Sequence, residues 1–300
     1  MKKAVVFGGS GFLGSHVADA LTKSGIETTV FDLHESPYLQ KSQKMIVGDI
    51  VDERKVKEAI KGKDFVYHFA GIADIKEAME KPIETVKTNV MSTVYMLDAC
   101  REFKARRFVY ASTVYVYSEH GSFYRSSKQA SELFIENYKK IYDVNFTILR
   151  YGSLYGRRAN HFNFINNVIR QAFLEGKIQR EGDGNEIRNY INVLDAAQAS
   201  VDMLADEFKN SYVMITGYQS MQVKDVLNMI REILNKKVEI EYLGKRIEEQ
   251  YEITPYSFRP KVAKKYVPPH YHDLGQGILD CIYENYGELC KEKIPLKLEM

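Results

Sequence analysis

Short apolar runs alternate with longer amphipathic segments through the first half of the chain. The runs are rich in β-branched and aromatic residues, and six of them predict strands at residues 3–7, 28–32, 45–47, 65–69, 107–112 and 146–150. The intervening segments, for example 53–60 and 83–103, have helical spacing. Alternating strands and helices are typical of βαβ units, whose parallel sheet is covered by helices on both faces. The pattern therefore predicts an α/β fold with a doubly wound parallel sheet.

The second half of the chain is less regular. Its spacing predicts helices at 164–174, 194–204, 223–234 and 274–286, and strands at 212–216 and 238–242. Residues 254–269 contain four of the seven prolines, which favours an extended loop. This change of pattern predicts a second, smaller lobe toward the C-terminus.

Composition excludes several classes of protein. The 42 Lys and Arg residues nearly balance the 40 Asp and Glu residues, which argues against a nucleic acid or an anionic membrane as partner. No apolar run approaches the roughly 20 residues of a membrane span. Three cysteines without a CxxC pair make a disulfide framework or a zinc site improbable, and His270 and His272 have no supporting ligand pattern. We therefore expect a cytoplasmic protein without a metal site.

A glycine-rich turn follows the first predicted strand and opens a helix. Its spacing is GxxGxxG, and its candidate dinucleotide-binding residues are Gly8, Gly11, Phe12, Leu13 and Gly14. Such a turn lets the backbone approach a pyrophosphate at a helix N-terminus, although any tight strand–helix turn also favours glycine. Asp32, at the end of the second strand, would accept hydrogen bonds from the ribose hydroxyls and repel a 2′-phosphate. A Rossmann-like fold that binds NAD is therefore predicted, with a loop cap as the alternative role for Asp32.

A tyrosine and a lysine lie four residues apart at the start of a predicted helix. Tyr124 and Lys128 share one helix face, and an ammonium beside a phenol lowers the pKa of the phenol, which suits a general acid/base. Thr113, at the end of a strand, could polarise the reacting oxygen. A Tyr–Lys pair alone can also be a solvated helix face. The order of glycine turn, acidic strand end, strand-end hydroxyl and Tyr–Lys pair favours a catalytic role.

In this order of motifs the sequence resembles the extended short-chain dehydrogenase/reductase family, in particular its nucleotide-sugar epimerases. The segments that carry the resemblance are residues 8–16, Asp32, Gly48-Asp49-Ile50, Tyr67-His68-Phe69-Ala70-Gly71, Asn89-Val90, Ser112-Thr113 with Val116-Tyr117, residues 149–156 and residues 188–195. The resemblance covers most of the chain. It implies that Thr113, Tyr124 and Lys128 are the catalytic residues.

The same resemblance implies further binding residues. For the cofactor these are Asp49, Ile50, Phe69, Ala70, Gly71, Asn89 and Tyr151, together with Tyr124 and Lys128. For the substrate they are Ser153, Arg188 and Arg259, with Arg188 pairing with a diphosphate. It also implies a homodimer formed through the helices at 83–103 and 126–142.

Departures from the family pattern narrow the expected chemistry. Thr113 and Tyr124 are only 11 residues apart, which predicts a short connection and a more open substrate mouth. Ser153 stands where many of the epimerases have Asn. Val114 and Tyr115 follow Thr113, where related 4,6-dehydratases carry Asp-Glu, related decarboxylases carry Glu at the second position and related epimerase-reductases carry Cys at the first.

The resulting expectation is an NAD-dependent nucleotide-sugar epimerase, acting at C4 through a transient keto-sugar. A net dehydrogenase or 4-keto-sugar reductase, or a non-catalytic dinucleotide sensor, remain alternatives. Residues 1–155 would form the NAD-binding lobe, to which 189–216 return, and residues 156–188 and 217–300 would form the substrate lobe.

Overall fold

The structure, a computed structural model, describes residues 1–244, 249–254, 264–266, 271–292 and 294–298. Internal contacts divide the chain into two units. The first contains Met1–Tyr151, Ala196–Ile215 and residues 264–266; the second contains the described residues of Gly152–Asp195, Thr216–Thr254 and 267–300. Of the segment 189–216, residues 196–215 thus belong to the first unit and residues 189–195 to the second.

The strands and helices of the described residues are numbered in chain order. The strands are β1 (Lys3–Phe7), β2 (Glu27–Asp32), β3 (Lys44–Val47), β4 (Phe65–His68), β5 (Arg107–Thr113), β6 (Phe146–Tyr151), β7 (Ser153–Tyr155), β8 (Lys177–Arg180), β9 (Ile187–Asn192), β10 (Ser211–Ile215), β11 (Ser220–Gln222), β12 (Glu239–Tyr242) and β13 (Lys264–Tyr266). The helices are α1 (Phe12–Lys23), α2 (Glu53–Ile60), α3 (Ile75–Glu80), α4 (Pro82–Thr85), α5 (Ser92–Phe103), α6 (Ser122–Tyr142), α7 (Phe164–Glu175), α8 (Val193–Asp202), α9 (Val223–Ile233) and α10 (Leu274–Lys291).

An eight-stranded, entirely parallel sheet organises the first unit. Its order is β13-β10-β6-β5-β4-β1-β2-β3, which contains the 3-2-1-4-5-6 order of a dinucleotide-binding Rossmann sheet. Phe7 is paired with His68, and His68 with Tyr110, so the carboxyl ends of β1, β4 and β5 are neighbours. The predicted α/β, Rossmann-like class is confirmed. The glycine turn after β1 and Thr113 at the end of β5 lie at the same edge of the sheet, with β4 between the two strands.

The central strands are buried on both faces, which explains their continuous apolar sequence. In β1, Val5 and Phe7 pack in one core cluster with residues of α2 and α5, such as Val56 and Leu97, while the alternate residue Val6 is equally buried. A strand covered on both faces needs apolar side chains at successive positions. This need produces the apolar runs in the first half of the sequence.

The segment predicted as one helix at 83–103 has three parts. Between α4 and α5, Val86–Met91 form a π-helical segment. One extra residue per turn rotates the side chains that follow, and π-segments of this kind are frequent at functional sites. Asn89, which lies in this segment, is fully buried as a result.

Two small sheets and one apolar cluster organise the second unit. The sheets have the orders β11-β9-β7 and β12-β8, and the cluster includes Ile169, Phe173, Leu227, Ile230 and Ile282. The predictions gave no strand at β7, β8, β9 or β11: β7, β8 and β11 have only three or four residues, and the longer β9 lacks an alternating pattern. Residues 264–266, expected to be extended loop, form the edge strand β13, so the loop prediction was wrong there.

Candidate active site

The glycine turn connects β1 to α1 through very close backbone contacts. A Cβ atom on Gly14 would lie 2.0 Å from Gly8 O, and one on Gly8, whose φ is +79°, would lie 2.5 Å from Ala70 N. Gly11 differs, because its Cβ would meet only Gly8 O, at 3.3 Å, and Gly11 is exposed at the N-cap of α1. Gly8 and Gly14 thus shape the turn, while Gly11 leaves the first-turn N–H groups accessible. The turn fits a dinucleotide pyrophosphate at the N-terminus of α1, which Phe12 and Leu13 begin.

Asp32 ends β2 beside this turn. Its carboxylate accepts hydrogen bonds from the backbone N–H of Ser10 (3.0 Å) and of His34 (3.4 Å). These bonds fix the carboxylate while the side chain stays partly exposed. Asp49 and Ile50 follow β3 next to it; Asp49 is exposed and Ile50 is buried. A fixed acidic group at this strand end suits the ribose hydroxyls of NAD and opposes a 2′-phosphate.

The segment after β4 is held by Asn89. Phe69 and Ala70 both donate to Phe7 O, at 2.9 and 3.0 Å. Asn89 Oδ1 accepts from Ile72 N (2.8 Å), and its amide donates to Ile72 O (3.0 Å) and to Ser127 Oγ (2.9 Å). A Cβ on Gly71, whose φ is +147°, would lie 2.6 Å from Asn89 Oδ1. Asn89 therefore ties the Phe69–Ala70–Gly71 segment to α6.

The three predicted catalytic residues come from β5 and from the first two turns of α6. Lys128 is buried and donates to Ala111 O at 2.9 Å, so its ammonium sits beside β5, two residues before Thr113. Lys128 Nζ lies 5.8 Å from the centre of the Tyr124 ring. Thr113 Oγ1 accepts from Tyr115 N (3.2 Å) and begins a short 3₁₀ turn, Val114–Tyr117. The structure thus places Lys128 beside Tyr124 and beside the end of β5 that carries Thr113.

Burial dominates the electrostatics of Lys128. Loss of hydration lowers the pKa of Lys128 to about 8, and the Glu132 carboxylate one helical turn later opposes this shift. A lysine with a pKa near neutrality that remains positively charged can stabilise a neighbouring phenolate. This is the electrostatic arrangement that general acid/base catalysis by Tyr124 needs.

The connection between Thr113 and Tyr124 is tight, as its length predicts. Gly121 has φ +98°, and a Cβ there would lie 2.7 Å from the Tyr115 ring. That ring meets the Tyr124 ring edge-on, with centroids 6.3 Å apart. Tyr115 therefore packs next to the candidate catalytic tyrosine, at the position where related decarboxylases and dehydratases carry an acid.

The remaining predicted residues lie in two places. Tyr151 ends β6 in the first unit, where it is buried and its hydroxyl bonds to Ser200 Oγ at 2.6 Å. Ser153 and Arg188 belong to the second unit, where both contact Tyr251. Ser153 Oγ is 3.4 Å from Tyr251 Oη, and the Arg188 guanidinium lies 4.1 Å from the Tyr251 ring centre. Arg259 lies outside the described residues.

Three residues near these side chains were not predicted. Tyr251 contacts both Ser153 and Arg188, each of which precedes it by about 60 residues or more in the sequence. No local motif reveals contacts of this kind. Glu132 and Arg150 form a buried ion pair (2.5 Å) beside β5. The signal for Glu132 was present, since it follows Lys128 by one turn, but an acid on a helix face is usually a solvated residue.

No group of three or more metal-binding side chains occurs among the described residues. His272, noted in the sequence, pairs there with Asp195 through its Nδ1 (2.6 Å). Within the described parts of the chain, no helix is long and apolar enough to cross a membrane.

Sequence comparisons relate this chain to one family of NAD-dependent enzymes. The sequence model of the NAD dependent epimerase/dehydratase family matches residues 4–214. A putative UDP-glucose 4-epimerase of Methanocaldococcus jannaschii is 26% identical, covering 83% of this chain and 88% of the relative. A UDP-N-acetyl-alpha-D-glucosaminuronate decarboxylase of Bacillus cytotoxicus is 27% identical, covering 80% of this chain and 82% of that protein.

A solved structure is similar over nearly the full length. It is the UDP-glucuronic acid 4-epimerase of Bacillus cereus in complex with UDP-glucuronic acid and NAD. The TM-score is 0.83 at 23% identity, with 95% of this chain and 99% of that chain covered. The shared feature at this identity is the fold.

Proposed function

This chain belongs to the NAD dependent epimerase/dehydratase family, and we propose that it is a nucleotide-sugar 4-epimerase. NAD is the cofactor of the family, in agreement with the acidic end of β2. The observation that carries the proposal is the group of Thr113, Tyr124 and Lys128 at the sheet edge that also bears the glycine turn. These residues supply a hydroxyl, a phenol and a buried ammonium, which are the protein groups that reversible oxidation of a sugar alcohol requires.

In the proposed reaction the protein moves one proton and orients one oxygen. Tyr124, as phenolate, takes the proton of the C4 hydroxyl, and Thr113 donates a hydrogen bond to the same oxygen. Lys128 lowers the pKa of the phenol through its charge. Bound NAD supplies a hydride acceptor that can also return the hydride. After the 4-keto sugar rotates, Tyr124 returns the proton and the C4 configuration is inverted.

The residues after Thr113 support epimerisation over elimination. Val114 is buried and apolar, and Tyr115 packs against Tyr124. Neither side chain has the carboxylic acid that removal of a C5 proton or loss of a carboxyl group would use. This distinguishes the chain from the dehydratases and decarboxylases that it resembles.

Arg188 supports a substrate with a phosphate chain. Its guanidinium is buried beside Tyr251 and donates to Ile187 O (3.1 Å) and Glu252 O (3.3 Å). These bonds occupy Nη1, so the other guanidinium N–H groups remain for a diphosphate. Ser153, which contacts the same tyrosine, would lie next to the nucleotide.

A homodimer formed through α6 and the segment 82–103 is part of the proposal. Large apolar side chains are exposed on both, among them Ile83, Val86, Met91, Leu133, Phe134 and Ile141. Many exposed apolar side chains on two segments favour association through them. A reducing, cytoplasmic compartment suits the free cysteines Cys100, Cys281 and Cys290.

The proposal is tested with purified protein and a panel of nucleotide sugars, with product isomers and NADH followed together. An epimerase interconverts two C4 isomers without net change in NADH. Stoichiometric formation or loss of NADH would instead identify a dehydrogenase or reductase.

The Tyr124→Phe variant tests the assignment of the base. Turnover should fall about 10²- to 10⁴-fold, because proton transfer is lost while the ring remains, and NAD binding should persist. Tyr138→Phe is the matched control, since Tyr138 lies on the same helix and its hydroxyl bonds to Asp98 at 3.1 Å. A Tyr124→Phe enzyme with normal turnover is incompatible with the mechanism.

A further inference from the structure

Helix α6 carries a row of functional side chains at four-residue spacing. Tyr124, Lys128 and Glu132 follow one another along one face. Lys128 and Glu132 are both about 94% buried, which is unusual for charged residues on a helix. The row therefore continues past the Tyr–Lys pair into the interior, where Glu132 meets β5 and β6.

Glu132 contacts both of these strands through strong hydrogen bonds. Its Oε1 accepts from Ser112 Oγ (2.6 Å) and from Arg150 Nε (3.0 Å), and its Oε2 accepts from Arg150 Nη2 (2.5 Å). This bidentate pair has the geometry that suits guanidinium and carboxylate. Ser112 directly precedes Thr113, so Glu132 holds the strand end that carries the candidate catalytic hydroxyl.

Arg150 extends the same network to the short connection. It is 97% buried, and its Nη1 donates to the Tyr117 hydroxyl. Its guanidinium lies between the rings of Tyr117 and Tyr212, 4.6 Å from the centre of each. Tyr117 ends the 3₁₀ turn that Thr113 begins. Thr113 therefore lies between two residues of this network: Ser112, which bonds to Glu132, and Tyr117, which bonds to Arg150.

We propose that Glu132, with Arg150 as its counter-ion, is the positioning residue of this site: its hydrogen bonds to β5 and β6 set Thr113 relative to α6, and its carboxylate lies one helical turn from Lys128. This role rests on the proposed function, because it acts through Lys128 and Thr113. Glu132 is not itself assigned a contact with substrate or cofactor.

Among the charged and titratable groups around Lys128, Glu132 is the one whose charge opposes deprotonation of the ammonium. On α6 the neighbours are Tyr124 and Glu132, and on β5 the Tyr110 ring lies 4.9 Å from Nζ. On β4, His68 is neutral, because burial lowers its pKa to about 3. Arg150 on β6 is positive and is paired with Glu132. Removal of the Glu132 charge should therefore let burial lower the pKa of Lys128 further.

The test is an NMR titration of protein labelled with ¹³C at lysine Cε. The Lys128 signal is assigned by its absence in Lys128→Met. In Glu132→Gln we expect the pKa of Lys128 to fall by about one unit, since Glu132 lies one helical turn away and a nearby opposite charge shifts a pKa by roughly one to three units. The alkaline limb of the pH–rate profile should move by the same amount, which a merely structural loss of activity would not produce.

Matched variants keep the test decisive. Glu136→Gln, one turn further along α6, removes an acid that bonds to the Tyr212 hydroxyl and should leave the Lys128 titration unchanged. Glu132→Asp retains the negative charge, so it should lower the pKa of Lys128 less than Glu132→Gln does. If Glu132→Gln does not fold, the charge-balanced Glu132→Gln/Arg150→Gln variant replaces it; loss of the Arg150 charge offsets part of the effect, so a smaller downward shift of the Lys128 pKa is expected.

The outcomes separate this role from the proposed function. A folded Glu132→Gln protein whose Lys128 titrates as in the native chain overturns the positioning role, even if the native enzyme is an active epimerase. The opposite result is a native chain that has no epimerase activity, although the pKa of Lys128 is still lowered in Glu132→Gln. That result rejects the proposed function and leaves the positioning role intact.

Discussion

At the scale of single residues, burial and charge act in opposite directions on Lys128. Burial lowers the pKa of its ammonium to about 8, while Glu132 raises it. The ammonium donates a hydrogen bond to Ala111 O. Its protonation state therefore changes within the pH range in which an enzyme can be assayed, unlike that of an exposed lysine.

This position of the Lys128 pKa predicts an alkaline limit of activity. Lys128 is charged below pH about 8 and neutral above it, and only the charged form can stabilise a phenolate at Tyr124. We therefore expect kcat/KM to decline above pH about 8, with a slope that approaches tenfold per pH unit. A profile of kcat/KM between pH 6 and 10 measures this, and a flat profile to pH 10 would contradict it.

At the scale of elements, the segment between β5 and α6 is fixed by side chains of α6. Arg125 Nη1 donates to Ser118 O, and Gln129 Nε2 donates to Val116 O, both at 2.9 Å. Gly121 completes the turn with φ +98°, a conformation that L-residues with a side chain rarely adopt. The short connection is thus an ordered part of the candidate site, and its geometry depends on one glycine.

The Gly121→Ala substitution tests this dependence. It should destabilise the fold by about 1–2 kcal/mol through the unfavourable φ, and it should lower kcat as well, because the new Cβ would displace the Tyr115 ring beside Tyr124. Gly62→Ala is the matched control: φ is +73°, and no atom lies within 4 Å of a Cβ there. We expect a similar loss of stability in the control without the loss of kcat, as measured by thermal unfolding and steady-state kinetics. Equal kinetic effects of the two substitutions would argue against a role for the connection.

At the scale of the whole molecule, the parallel sheet explains why distant motifs form one site. Its order brings the ends of β1, β4 and β5 together, although they are separated by up to about 100 residues of sequence. The family match, at residues 4–214, covers this sheet except for β13, and the chain matches curated relatives over most of their length. Exposed apolar residues on α6 and on the segment 82–91 belong to the same unit as this sheet.

The proposed homodimer predicts the effect of charge on that surface. Leu133 and Ile141, which are 55% and 65% exposed, are replaced in Leu133→Glu/Ile141→Glu. Two buried carboxylates oppose association, so sedimentation should show monomers where the native chain shows dimers. Leu39→Glu, at another exposed leucine, should remain dimeric. A native chain that sediments as a monomer would reject the dimer.

The sequence alone determined the parallel α/β fold and the family, and it predicted Thr113, Tyr124 and Lys128 as the candidate catalytic group. These features follow from local causes: strands buried on both faces must be apolar, a turn as tight as Gly8–Gly14 needs glycine, and a helix repeats near four residues. Each of these causes produces a pattern that can be recognised within a few consecutive positions of the sequence.

Only the tertiary structure decided how the interior supports that group. The pairing of Glu132 with Arg150, the bonds of Asn89 to the segment after β4 and the contact of Tyr251 with Ser153 and Arg188 all join residues from separate elements. Whether a carboxylate on a helix is solvated or buried depends on the elements that pack against the helix. The order and register of the sheet strands determine which residues those are. Contacts of this kind have no local pattern, so the sequence could not reveal them.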